Sequence, residues 1–470
     1  MIFSEPLPFI KEFVDELSQG IQAYSPKNKL SKIQRAWLGF CLTGVLLANK
    51  ICWTEFERIG LGNYKAAALS WMFRHGKFAW TMLLHVSVAL IFARYGIVEG
   101  ILVGDDSDRQ RAKQTKRIFG AYKVFDKKTG GYFNGQTVIL LLLVTSKVCI
   151  PVGFRFYRPD PVMTAWKKED EKLKKQGVGK SDRPPKPELN SKYLGKTQLM
   201  SDLVQEFQYY HPQIVIKAVL IDALYGCGCF MDRVQKIYKK SQIVSQLRKT
   251  QKIFFRNREV SLEKYFSTHS GTQIKLTIRG AKQVTVVFAC ARLLVKAHGQ
   301  KRFVVALKYE GESEYRYLVA SDMSWRGVDI ATVYTLRWLV EVFFEDWKLH
   351  EGWGQQAQQP DYEGSSRSLT LSLLLDHALL LHPEQLARVE NKLPAFTVGS
   401  LQRKSQIDAL IAFLRTIVNT KNPYQELEKL LEVSKRLFPL VPSSKHMNGR
   451  DLGRLGPTPS LKYRAKACAA

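Results

Sequence analysis

The stretch "ATVYTLRWLVEVFFEDWKLHEGW", residues 331–353, decides how the rest of the chain is read. From Ala331 to Leu349 it runs through strong helix formers and aromatics without Gly or Pro, which predicts a helix. Tyr334, Arg337, Glu341, Glu345 and Lys348 follow in steps of three and four, so at helical periodicity they share roughly 80° of arc. Trp338 and Phe344 flank that stripe, and Val340, Phe343 and Trp347 fill the opposite side. Such a stripe is either a row of ion pairs on a solvated face, Arg337 with Glu341 and Glu345 with Lys348, or one wall of a charged site.

Composition favours the second reading. The 470 residues are 45% hydrophobic and 11% aromatic, enough for a large core and incompatible with overall disorder. Lys and Arg number 71 against 42 Asp and Glu, a net charge of +29, which is usually retained to hold a polyanion. Nucleic acid is the first candidate and an anionic membrane surface the second. The seven cysteines are odd in number and scattered, as in a reducing cytosol. Cys227 and Cys229 form a lone CxC, short of a zinc motif. The N-terminus "MIFSEPLPFIKEF" lacks a basic stretch before an apolar one, so it does not read as a targeting signal. "FAWTMLLHVSVALIFA" (78–93) is shorter than a bilayer span and contains His85, so a buried helix is expected and no membrane.

Residues 1–95 read as helical, with short helices broken at Gly60 and Gly62; this fits a DNA-binding unit or an ordinary packing layer. "IVEGILVGDDS" then reads as an apolar strand ending in acid, and 137–146 with 148–158 as a hairpin through Ser146 and Lys147. A basic, Pro-containing segment (166–188) predicts a solvated loop with some helix at its start. "KTQLMSDLVQEFQYYHP" is an amphipathic helix, and "QIVIKAVLID" is a second apolar strand ending in acid. Residues 250–320 carry β-type runs, 368–382 a buried helix, and the tail from about 437 is basic, Pro- and Gly-rich and expected to be partly disordered.

Asp105, or its neighbour Asp106, and Asp222 therefore end two strands, where side chains project into the crevice of an α/β sheet; capping the next turn is the structural alternative. With Glu341 they make three carboxylates. Converging carboxylates suit a pair of Mg²⁺ ions, which can activate a water or a 3′-hydroxyl and stabilise the leaving oxygen of a phosphodiester. Arg337 and Lys348 on the same helix face would hold the adjacent phosphates.

"YTLRWLVEVFFEDWK" also has the pattern Y-x2-R-x3-E-x6-K, complete at Tyr334, Arg337, Glu341 and Lys348. It resembles the YREK signature of bacterial insertion-sequence DDE transposases of the IS-four type, over residues from about 97 to 382. The resemblance implies an α/β fold: a ribonuclease-H-like mixed sheet core with a β-strand insertion, plus N-terminal and C-terminal helical regions. It divides the chain into an end-binding helical domain (1–95), the first part of the core (96–249), the insertion (250–325), the end of the core (326–385) and a C-terminal region (386–470) that serves in dimerisation. It implies Asp105, Asp222 and Glu341 as catalytic metal ligands for two Mg²⁺ ions, with Mn²⁺ able to substitute. Asp105-Asp106-Ser107 matches the family's Asp-x-Ser/Thr and selects Asp105, with Asp106 the rival. Tyr334, Arg337 and Lys348 resemble residues that grip the element's terminal phosphates. The implied partners are double-stranded DNA with terminal inverted repeats, target DNA and a second copy of the chain. The implied setting is a bacterial cytoplasm, at the nucleoid. Some relatives hold a base on a tryptophan in the last insertion strand; here the nearest aromatics are Tyr315, Tyr317 and Trp325, and the role stays unassigned. A stand-alone Mg²⁺-dependent nuclease and an inactive DNA-binding descendant are the rival functions.

Overall fold

A computed structural model describes residues 5–112, 117–126, 128–279 and 282–440. Five helices come first: α1 (Pro8–Tyr24), α2 (Lys32–Leu47), α3 (Trp53–Ile59), α4 (Ala66–His75) and α5 (Trp80–Tyr95). Ser31 starts α2 with a reciprocal capping box to Gln34, satisfying two orphan backbone donors. Its buried residues, from Trp37 to Leu47, lie on every side, so α2 is the centre of this bundle rather than its surface. The apolar 78–93 run forms most of α5. That helix ends at Gly96, which adopts φ +61° where a side chain would be strained. Among the described residues no single helix is long and apolar enough to cross a membrane; α4 and α5 pass that test only as a pair bent by 92°, and most of α5 is buried.

Among the described residues twelve strands follow, all in one sheet. They are β1 (Glu99–Gln110), β2 (Ala121–Phe125), β3 (Tyr132–Val144), β4 (Cys149–Tyr157), β5 (Val215–Ile221), β6 (Gln242–Leu247), β7 (Lys252–Phe255), β8 (Arg258–Ser261), β9 (Thr272–Ile278), β10 (Lys282–Val295), β11 (Gln300–Tyr309) and β12 (Arg316–Ala320). The helices among and after them are α6 (Pro161–Lys175), α7 (Lys196–Tyr210), α8 (Gly228–Ile237), α9 (Leu262–Thr268), α10 (Gly327–Tyr334), α11 (Trp338–Leu349), α12 (Tyr362–Leu380), α13 (Pro383–Glu390), α14 (Val398–Val418) and α15 (Pro423–Leu437).

β1 pairs antiparallel with β3 on one edge and parallel with β5 on the other, and β5 pairs parallel with β6. β4 and β2 share the far edge of β3 end to end. The expected hairpin is present, its turn closed by Thr145 N–H to the Val148 carbonyl at 3.0 Å. Leu102 and Val103 are both fully buried, but in different cores. Leu102 packs with α5 and α7, while Val103 packs with α10, α11 and α12. This is a large mixed sheet covered by helices on both faces, consistent with a ribonuclease-H-like core. The β-type runs of 250–320 extend the same sheet, because β12 pairs with β6 and carries β11 and β10 beyond it.

Two local expectations meet a different outcome. β1 does not end at its acids: β3 goes on pairing with it to Gln110, after β5 has left at Ile221, so Asp105 and Asp106 stand within a strand. The helix of 331–349 is interrupted by a 3-10 turn at Thr335–Arg337, where Thr335 Oγ1 donates to the Thr332 carbonyl at 2.7 Å and accepts from Arg279 N–H at 3.1 Å. The basic 166–188 segment has the helix expected at its start, most of α6, and the chain after it is tied back, with Trp166 Nε1 donating to the Pro184 carbonyl at 2.8 Å and Arg183 paired with Asp170 at 2.9 Å. The tail beyond 440 lies outside the described residues.

Behind α11, Trp347 Nε1 donates to Ser372 Oγ of α12 at 2.6 Å. Beside that bond Glu351 and Asp376 are buried together, and they can bond to each other only through a shared proton. Burial raises both carboxyls, Asp376 to about 7, with the nearby Asp346 charge adding to each. Below the ordinary carboxylate range both folded and unfolded chains are protonated there. As pH rises, the unfolded chain releases its protons first, at about 4, while Asp376 of the folded chain keeps its proton to about 7; stability therefore falls across that window. The melting temperature should drop by several degrees from ~pH 5 to ~pH 8, and Glu351→Gln, which keeps a donor to Asp376, should flatten that slope in a thermal-shift series. An unchanged slope in the variant would remove the pair as its cause.

Candidate active site

The two aspartates are brought side by side by strand register. Gly104 of β1 lies opposite Ile221 of β5 in parallel pairing, so Asp105 and Asp222 are the next residue on each chain. Asp222 heads the turn Ala223–Tyr225, yet its side chain makes no capping hydrogen bond, so the capping alternative does not account for it. Asp105 is 8% exposed. Its Oδ1 accepts from the Asp106 N–H at 2.8 Å, and its Oδ2 faces Arg337 Nη1 at 2.6 Å. Burial pushes its carboxyl up to about 7; Arg337 and the Asp106 amide oppose that rise, and the Asp222 and Asp106 charges add to it.

Asp106 points to the other face, as strand alternation requires. The even positions of β1 pack on α7: a Cβ at Gly104 would meet Met200 at 2.6 Å. There Asp106 accepts from Tyr225 Oη at 2.9 Å and pairs with Lys196 at 2.6 Å. Tyr225 lies in the turn just after Asp222, so this bond ties the two aspartate-bearing chains together beneath the site. Lys196 and Tyr225 were invisible to sequence reading, since nothing local marks a lysine far along the chain as the partner of one acid. Asp108 is engaged in a cross-strand hydrogen bond from Thr137.

The stripe on α10 and α11 divides. Tyr334 is buried, and its hydroxyl donates to the Ile221 carbonyl at 3.2 Å, one residue before Asp222. Tyr334 stands just before the 3-10 turn at Thr335–Arg337 and packs into the core beneath the site. Arg337 reaches Asp105 more closely than Glu341, which lies 3.4 Å away. Lys348 Nζ donates to Ser107 Oγ at 2.6 Å instead of pairing with Glu345, and lies 5.0 Å above the Trp353 ring. Burial lowers its ammonium, as does the charge of Arg109 beside it. Arg109, whose Nε donates to the Gly354 carbonyl at 3.2 Å, is a cation of this site that sequence reading passed over. Glu345 is exposed.

A divalent cation would find hard oxygen donors here: two adjacent aspartates, one of them desolvated and raised by its like-charged neighbour. That pair fits. Among the described residues, however, no three His, Cys, Asp or Glu side chains close to metal-holding distance, and the Arg337 guanidinium stands between Asp105 and Glu341. Cys227 and Cys229 lie 3.1 Å apart, Sγ to Sγ, without a third ligand.

Residues 28–302 match the model of the DDE superfamily endonucleases, more than half of the chain, and the chain belongs to that family. The matched span holds Asp105 and Asp222 and stops before Glu341. Family membership identifies a nucleic-acid-cleaving enzyme of a kind that acts on DNA and generally uses divalent metal ions. No curated protein matches the chain.

If the Asp106–Tyr225 bond sets the distance between Asp105 and Asp222, Tyr225→Phe should weaken Mn²⁺ binding in calorimetry by about 10-fold, the usual scale for groups supporting a ligand. Asp106→Asn, still able to accept from Tyr225, should lose less. Equal Mn²⁺ affinity in Tyr225→Phe and wild type would show that the bond does not position the site.

Proposed function

We propose that this endonuclease is a DNA transposase that excises a mobile element and joins it elsewhere, with Asp105, Asp222 and Glu341 as its acidic triad. One observation carries the reading: two aspartates abreast on β1 and β5, faced by Arg337, which contacts both Asp105 and Glu341. The complete Tyr334, Arg337, Glu341 and Lys348 pattern adds the resemblance to the IS-four type.

The three carboxylates would hold two divalent cations, Mg²⁺ or Mn²⁺, which supply an activated water or 3′-hydroxyl and charge stabilisation at the leaving oxygen. The chain's own residues do the rest. Arg337 neutralises Asp105 and Glu341 until DNA arrives, then offers its fork to a phosphate. Lys348 and Arg109 hold the backbone on the Ser107 side, while Tyr334 fixes the end of β5 from below. Nicking, hairpin formation and strand transfer are successive displacements at this one site. In this reading residues 1–95 bind the terminal inverted repeats, 96–249 with 326–385 form the catalytic core, 250–325 the insertion, and 386–470 the contact between two copies in the paired-end complex. A bacterial cytoplasm, at the nucleoid, is the matching setting.

The rival function is a nuclease on the same core, and the two differ in product. The test is Mg²⁺-dependent processing of a duplex carrying the sequence that flanks the gene. Wild type should give both cut and joined strands, and cutting without joining would favour the nuclease. Asp222→Ala and Glu341→Ala should each lose at least ~100-fold in cleavage with DNA binding retained, whereas Glu345→Ala should lose less than ~10-fold. Cleavage by both acid variants at the wild-type rate would discard the triad. Binding should also fall steeply with salt, by about 0.9 log units per log of salt for each phosphate neutralised.

A further inference from the structure

Cys227 and Cys229 follow Asp222 by five and seven residues. Cys227 is the N-cap of α8 and Cys229 its second residue, with Gly228 between them. That arrangement brings the two sulfurs to 3.1 Å, about 1 Å longer than a disulfide bond. Cys229 is exposed and Cys227 half-buried, so the pair is open to solvent on one side. Among the described residues no His, Cys, Asp or Glu completes a metal site with them, and no other thiol has a sulfur partner.

The chain between Asp222 and this pair is held at three points. Ser245 Oγ of β6 donates to the Asp222 carbonyl at 2.9 Å, Tyr225 Oη donates to Asp106 at 2.9 Å, and His298 Nε2 donates to the Gly226 carbonyl at 3.0 Å. His298 lies in the turn between β10 and β11. Both glycines are in close contact with neighbouring chain. A Cβ at Gly226 would meet the Gln246 carbonyl at 2.7 Å, and one at Gly228 would meet His298 Cα at 3.0 Å. A contraction at the sulfurs therefore has little room to be absorbed sideways. It passes along the chain, to Tyr225 in one direction and to α8 in the other.

We propose that Cys227 and Cys229 are a dithiol that closes reversibly to an intramolecular disulfide, and that closure disturbs the Tyr225–Asp106 bond and with it the aspartate pair; the second half rests on the reading of Asp105 and Asp222 as metal ligands. The oxidant is a small-molecule disulfide such as oxidised glutathione. Cys229, the exposed thiol, attacks as its thiolate on one sulfur of that disulfide, and the other sulfur leaves as a thiolate. Cys227, deprotonated in turn, attacks Cys229 Sγ, forms the S–S bond of the chain and expels the second small thiolate. Two electrons pass to the small disulfide, and the two protons lost by the cysteines leave it as two thiols. Burial and the adjoining Cys229 thiol hold the Cys227 thiol above its usual range, which makes Cys229 the first to attack. The contribution of Cys229 ends once its sulfur is in the mixed disulfide. The N-terminus of α8 favours the thiolate in both steps.

The test holds the full chain in glutathione mixtures of increasing oxidised share, blocks free thiols with iodoacetamide and maps the peptides by mass. The peptide carrying Cys227 and Cys229 should lose two hydrogens and take up no label, in mixtures where the exposed Cys52 and Cys290 stay as free thiols or glutathione adducts. Calorimetry with Mn²⁺ on the same samples should show ~10-fold weaker binding by the oxidised chain, regained with dithiothreitol. Cys229→Ser, a change at an exposed side chain, should bind Mn²⁺ equally before and after oxidation. Two labelled thiols, or glutathione left on Cys229, in the most oxidising mixture overturns the disulfide. A closed disulfide with unchanged Mn²⁺ affinity, or an equal fall in Cys229→Ser, overturns its link to the site. Reduced wild type that binds no Mn²⁺ counts against the metal reading instead, and the peptide map still decides the disulfide.

Discussion

The parallel pairing of β1 with β5 ends at Gly104 and Ile221, while β1 continues along β3 to Gln110. That unequal ending governs the site. One edge of β1 stays in its ladder, which keeps the strand straight and its side chains alternating. The other edge is released at the point where Asp105 and Asp222 emerge. A β5 longer by two residues would bring Asp222 into the ladder and close the crevice. A β3 that stopped with β5 would leave Asp105 on a mobile end.

Charge balance explains how the acids tolerate their burial. A carboxylate withdrawn from water needs a cation or a proton. The two acids of β1 each have a cation from a separate element: Arg337 at the head of α11 for Asp105, and Lys196 of α7 for Asp106. The insertion joins this arrangement through Arg279, whose N–H meets Thr335 and whose guanidinium lies 4.2 Å above the Trp338 ring. The turn that follows Tyr334 and carries Arg337 toward Asp105 is therefore braced from the sheet extension as well as by its own residues. Among the described residues Glu351 and Asp376 have no such cation in an ion pair, and burial raises both carboxyls instead.

Much of the fold was legible in the chain because burial leaves a periodic trace. The apolar runs at 78–93, 137–146 and 368–382 are long enough that only a core can hold them, and each forms a buried element. The place of Asp222 was legible for the same reason: the apolar run VIKAVLI stops at the acid, and β5 ends at Ile221. Asp105 and Asp106 were separable only by face. Their parity relative to Val103 and Gly104 was readable, but which face carries α11 and which carries α7 was not.

The sequence by itself determined the elements, the polyanion-seeking charge, and the acidic and basic residue types of the site, because composition and periodicity are local properties. It also marked the stripe on residues 334–348 as either a row of ion pairs or one wall of a charged site. The tertiary structure alone decided that Tyr334 turns inward, that Lys348 meets Ser107 rather than Glu345, and that Lys196 and Tyr225 brace Asp106. Each of these depends on strand register or on a single 3-10 turn. A shift of one residue in either changes every contact while leaving the pattern of apolar and polar residues the same.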